Sequence, residues 1–104
     1  MTINLLILYN DSCPSFESAI ERIKEIAKEN NLNLDINTQL LKSEQEAKNW
    51  KFSGSPTIYI NNTQFDPIDA EIYRVDNCRI YTNDDGKISP LPPKNKLFKA
   101  LLEA

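Results

Sequence analysis

Ile3-Asn4-Leu5-Leu6-Ile7-Leu8-Tyr9-Asn10-Asp11-Ser12-Cys13-Pro14-Ser15-Phe16 carries two different periodicities on either side of a turn. Residues 3–9 are apolar at nearly every position, the signature of a central strand covered on both faces. Asn10-Asp11-Ser12 supplies turn and cap chemistry. Pro14 then suits the first turn of a helix, where a missing N–H leaves no bond unmade. Phe16, Ile20, Ile23, Ile26 and Ala27 follow at three- and four-residue steps, so an amphipathic helix should run to Asn30-Asn31. Glu21 with Lys24, and Glu25 with Lys28, decorate its outer face. Cys13 sits at the strand-to-helix junction, one residue before the proline.

Downstream, Leu32, Leu34 and Ile36 alternate with Asn33 and Asp35, which predicts a half-buried strand over 32–36. Ser43 and Glu46 form a capping box for a short helix ending near Trp50. Gly54-Ser55-Pro56 breaks that helix, and Thr57-Ile58-Tyr59-Ile60 reads as the next strand. Asn61-Asn62 turns it into a brief strand over 63–65. Cys78-Arg79-Ile80-Tyr81 has strand character, closed by Asn83-Asp84-Asp85-Gly86. Pro90, Pro92 and Pro93 make a stiff connector. A last helix starts near Lys94, with Leu97, Phe98, Leu101 and Leu102 on one face. The order is β-α-β-α-β-β, an insert over 66–92, then α. A crossover helix between the first two strands implies a parallel pair, and the hairpin adds an antiparallel one. The expected class is α/β, a mixed β-sheet flanked by helices. With 104 residues and no internal repeat, residues 1–104 should form one domain.

Composition removes whole classes of function. The formal net charge is -3, against a general nucleic-acid binder, which needs a basic face. The chain has no histidine, so Ser-His-Asp and Cys-His catalysis and His-bearing zinc sites are excluded. No apolar run approaches the roughly 18 residues of a membrane span. The apolar start lacks a basic flank and a small-residue cleavage site, so no signal peptide is expected. Two cysteines are too few for a secreted disulfide framework, and a cytoplasmic location follows as the expectation. No pattern implies a cofactor. Asp84-Asp85 before Gly86 is turn chemistry, short of a calcium loop. Tyr9, Tyr59, Tyr73 and Tyr81 have no spacing suited to base stacking. Trp50 and Phe52 read as packing residues.

The element order and two landmarks resemble the thioredoxin-like superfamily. Cys13 lies where that superfamily places its reactive cysteine. Phe52-Ser53-Gly54-Ser55-Pro56-Thr57-Ile58 resembles its second signature, in which the proline is cis and lies against the reactive sulfur. A narrower resemblance covers nearly the whole chain. Leu8-Tyr9-Asn10-Asp11-Ser12-Cys13-Pro14 is similar to the "LYFxGCP" opening of the DF family of (seleno)proteins. That family also shows the "GSPT" seen here as Gly54-Ser55-Pro56-Thr57, the Asp66-Pro67 pair, the "CRxY" of Cys78-Arg79-Ile80-Tyr81, Gly86, and Pro92-Pro93 before a final helix. One departure matters. Redox-active thioredoxins carry Cys-x-x-Cys, and here the motif is Cys13-Pro14-Ser15-Phe16, with Phe16 in place of the second thiol.

The resemblance implies a thiol protein, a candidate thiol-disulfide oxidoreductase, with Cys13 as nucleophile and Pro56 as substrate-docking proline. A sulfur at a helix N-terminus feels unpaired N–H groups and the positive end of the dipole, both of which favour thiolate. Asp11 nearby opposes this. Cys78 is the one remaining candidate for a resolving thiol; otherwise it reads as a small buried residue in a strand. If the two Cα atoms come within roughly 4.4–6.8 Å, a one-disulfide cycle becomes available. The same two thiols could instead hold a soft ion such as Hg(II), As(III) or Cu(I). The partners in view are therefore a protein disulfide, a small thiol or a soft metal ion. The alternative from another class is a non-catalytic metalloid- or protein-binding module. Arg79 is expected on the surface, solvated or paired with Asp76 or an anionic substrate.

Overall fold

The computed structural model describes residues 2–13, 15–52, 54–67, 74–83, 85–89 and 91–104. Pro14, Ser53, Tyr73, Asp84 and Pro90 lie outside the described residues. β1 (Thr2–Tyr9) runs parallel to β2 (Asn33–Leu40) on one side and antiparallel to β3 (Thr57–Ile60) on the other. β4 (Thr63–Gln64) closes a hairpin with β3, giving the order β2-β1-β3-β4. The hairpin turns through Asn61 and Asn62, both at positive φ, which asparagine tolerates better than most residues. The crossover helix α1 (Ser15–Glu29) joins the parallel pair.

The nearly continuous apolar run of β1 has the predicted cause. Ile3, Leu5 and Ile7 face a core completed by Ile23 and Ile26 of α1, by Ile58 and Ile60 of β3, and by Leu97 and Leu101 of α3 (Lys94–Leu102). Leu8 faces the opposite side, with Leu41, Phe52 and Ala47 of α2 (Glu44–Asn49). The sheet therefore has α1 and α3 on one face and α2 on the other. Trp50 and Tyr59 pack against this second cluster edge to face, 6.2 Å between ring centroids. Among the described residues this is a compact α/β fold with a mixed four-stranded sheet and three helices.

Local expectations hold at the short helix. Ser43 is the N-cap of α2 and its hydroxyl accepts from the Glu46 amide at 3.1 Å. The Glu46 carboxylate reaches back to the Lys42 amide at 3.0 Å. Trp50 caps the end. Lys51 then turns at φ 52°, and the Phe52 amide returns to the Ala47 carbonyl at 2.8 Å. α2 thus ends before Gly54 is reached.

Four expectations need correction. β2 continues to Leu40, past its alternating stretch, because all eight of its residues register with β1. Phe65 is buried but lies just outside β4. The strand expected at 78–81 starts later. β5 (Tyr81–Thr82) pairs with β6 (Ile88–Ser89) in a separate ribbon, and Cys78 makes only an isolated parallel bridge to Ser55. On α3, Leu97 and Leu101 are buried while Leu102 is 57% exposed. At 100° per residue, Leu102 lies well past the stripe those two define.

Candidate functional site

The site forms where four distant segments meet: the β1–α1 turn, the residues before β3, the end of the hairpin, and residues 74–79. Asn10 organises the first. Its side-chain oxygen accepts from the Ser12 and Cys13 amides at 3.1 and 3.0 Å, an Asx turn that fixes Cys13 ahead of α1. Its side-chain nitrogen donates to the Val75 and Asn77 carbonyls, both at 2.8 Å. Asn10 is 5% exposed, and this amide uses both its donors and its acceptor. One side chain thus ties the cysteine turn to a strap 65 residues later.

The strap is held at its start by Glu44, which pairs with Arg74 at 3.4 Å and accepts from the Val75 amide at 3.0 Å. Val75 packs on the second apolar cluster. At its centre the strap lies along Ser55. The Ser55 amide donates to the Asn77 carbonyl and its carbonyl accepts from the Arg79 amide, both at 3.0 Å. Gly54 makes this approach feasible. A Cβ there would sit 2.4 Å from the Arg79 nitrogen, closer than real contacts allow, and its φ of 151° disfavours a side chain as well.

Cys13 and Cys78, 65 residues apart, form a disulfide at a Cα–Cα distance of 5.7 Å. The bond joins unequal partners. Cys13 is 4% exposed and Cys78 is exposed, against the reading of Cys78 as a buried strand residue. The Cys13 sulfur also lies 3.6 Å from the Asn77 carbonyl oxygen. The Ser55–Pro56 peptide is cis, and the buried Pro56 offers its carbonyl to the Tyr81 hydroxyl at 2.6 Å. Tyr81 is itself buried, and that burial pushes its phenol up beyond the usual tyrosine range. Arg79 pulls the other way and Asp66 pushes the same way. The three sequence candidates therefore converge, Cys13 and Cys78 by a covalent bond and Pro56 in the residue next to the strap's backbone partner.

Arg79 is the clearest departure from expectation. It is 1% exposed, with its guanidinium 4.5 Å above the Tyr81 ring and hydrogen bonded to the Asp66 carbonyl. The Asp66 carboxylate is 3.8 Å away; Asp76 instead faces Arg74 at 3.9 Å. Neither Asn10 nor Arg79 was legible as a positioning residue. The signal for Asn10 was its unclaimed amide donors. For Gly54 it was the rarity of glycine, with two in the chain.

A recess of about 290 Å³ reaches Cys13, lined by Tyr9, Asn10, Asp11, Phe16 and Glu17. Tyr9 and Phe16 stack face to face at 3.8 Å and form its apolar wall, so Phe16 stands beside the sulfur as an aromatic surface. A larger recess, about 450 Å³, lies between the β3–β4 hairpin and the end of α3 and touches neither cysteine. Among the described residues no group of three or more Cys, Asp or Glu could hold a metal ion. No described helix is long and apolar enough to cross a membrane. No family model, curated protein or solved structure matches the chain.

Proposed function

We propose that this chain is a cytoplasmic, thioredoxin-like thiol-disulfide exchange protein whose redox pair is Cys13 and Cys78. The observation that carries the reading is the unequal burial of two cysteines held 5.7 Å apart at the Cα atoms. The absence of a second cysteine in Cys13-Pro14-Ser15-Phe16 is made good by one from the strap. An incoming thiolate meets the exposed Cys78. It bonds to that sulfur, and the electron pair of the S–S bond leaves on Cys13. A leaving thiolate at the start of α1 is favoured by the helix dipole, and a better leaving thiolate speeds exchange. A second external thiol then takes over the mixed disulfide, releases Cys78 as a thiol and leaves the external pair oxidised. The chain gains two electrons and two protons.

The test is a titration of the chain in glutathione buffers, with alkylation to trap thiols and mass spectrometry to map them. The reading expects both thiols to appear together in one two-electron transition, and Cys13→Ser to abolish exchange with a model disulfide. Full exchange by Cys13→Ser would overturn it. The binding-module alternative gives another pattern: one Hg(II) or As(III) bound per reduced chain, lost in either cysteine variant, with no exchange turnover.

A further inference from the structure

The strap occupies Ser55 as a bound peptide would. Residues 77–79 run parallel to the Ser55 backbone and use both its N–H and its C=O. The absent Cβ of Gly54 lets the two main chains touch. Cys78 sits between the two bonded positions and bonds Cys13. The next side chain, Arg79, enters a slot between Asp66 and the Tyr81 ring.

That slot holds its occupant imperfectly. Nε and one terminal nitrogen of Arg79 are buried without hydrogen-bond partners among the described residues, as is the Ser55 hydroxyl. Its carboxylate partner Asp66 is well exposed. A buried guanidinium with unmet donors regains hydration when it leaves, which offsets the contacts it gives up. Once the disulfide opens, the strap keeps only backbone and polar anchors at this point.

We infer that the strap is an internal stand-in for the substrate. In the reduced chain, the Gly54-Ser55 edge takes an extended segment of another protein in which an oxidised cysteine is followed by a basic residue. The inference rests on the exchange reading and adds the substrate class and the way the product leaves. The Cys13 thiolate attacks the docked substrate sulfur. A Cys13–substrate bond forms, and the substrate's own disulfide partner departs as a thiolate and takes a proton from solvent. Cys78, deprotonated to solvent, then attacks the Cys13 sulfur. The Cys13–Cys78 bond forms and the substrate cysteine leaves as a second thiolate. Two electrons pass from the chain's dithiol to the substrate disulfide. The returning strap claims the same two Ser55 bonds, so resolution of the mixed disulfide and ejection of the peptide are one event.

The test uses the full chain with Cys78→Ser, reduced, and a peptide of residues 75–81 whose cysteine carries thionitrobenzoate as a mixed disulfide. Release of thionitrobenzoate reports attack by Cys13. Two altered peptides are compared, one with the arginine N-methylated and one with arginine replaced by glutamate. Ellman's reagent serves as the undocked control. Loss of one backbone hydrogen bond should slow the N-methyl peptide about tenfold, and the glutamate peptide should be slowed several-fold. The protein is the same in every arm, so its folding cannot create the difference. Equal rates for all three peptides, with Cys13 reacting normally with Ellman's reagent, would overturn the docking inference and leave the exchange reading standing. A Cys13 unreactive even to Ellman's reagent would overturn both.

Discussion

The sheet and the strap are held by different physics. β1, β3 and α1 bury Leu5, Ile7, Ile23, Ile26 and Ile58 almost completely, and their hold is spread over many contacts. The strap contributes one partly buried apolar residue, Val75, and is otherwise fixed by separate polar bonds to Glu44, Asn10 and Ser55, by the buried Arg79 between Asp66 and the Tyr81 ring, and by one disulfide. Dispersed apolar burial does not depend on any single bond. A segment fixed by a handful of discrete bonds loses a large share of its hold when one chemical event opens one of them. The second arrangement suits the release proposed for the strap, against a frame held by buried apolar contacts.

Reduction breaks the contrast most strongly. A disulfide closing a separation of 65 residues stabilises by about 4 kcal/mol in the chain-entropy picture. Denaturant melts with and without reductant should show a drop of that order. Hydrogen exchange should rise steeply at amides 75–79 while those of β1 and β3 stay protected. An equal rise in both regions would mean they open as one unit.

Ile23→Ala strikes the other region. Removal of a fully buried isoleucine side chain should cost about 3 kcal/mol, read from the denaturant midpoint. The rate at which a small thiol reduces the disulfide should change little, since Ile23 belongs to the core between the sheet, α1 and α3, and the polar bonds of the strap run to Glu44, Asn10 and Ser55. Asn10→Ala should do the reverse. It removes two hydrogen bonds that join the cysteine turn to the strap and two that hold the turn itself. The expected cost is about 2 kcal/mol, with disulfide reduction faster than in the parent chain. A variant reduced at the parental rate would show that the strap does not depend on this amide.

Tyr81→Phe gives the smallest effect, about 1 kcal/mol for the hydroxyl bond to Pro56. It also carries a pH signature. Burial raises the Tyr81 phenol above its unfolded value. Its contribution is therefore full below about pH 10 and is lost as pH rises further, because the unfolded chain gives up the proton first. The phenylalanine variant should lose less stability than the parent above pH 10 in alkaline melts.

How much could be read beforehand follows the same division. β1, α1 and the Ser43 cap declare themselves through periodicity and local chemistry, since each is fixed by neighbours in the chain. The meeting of Cys13 with Cys78 is different. The two residues have no shared pattern, and their approach is set by the paths of β1, β3 and the strap. Arg79 reads as a surface residue from the sequence, since arginine is seldom buried. Its position depends on the Tyr81 ring and Asp66 arriving from other segments. Asn10 could be read as a turn former from its neighbours, but its second role needs carbonyls 65 and 67 residues away. Local rules covered the frame, and long-range geometry determined the site.

The most direct test of the account is the state of the two thiols in the native chain across a series of glutathione redox buffers, read by alkylation and peptide mapping. The account predicts that Cys13 and Cys78 become alkylatable together and reversibly, with a single bridged peptide disappearing as they do. Two thiols that titrate independently, with no bridged peptide at any buffer composition, would contradict it.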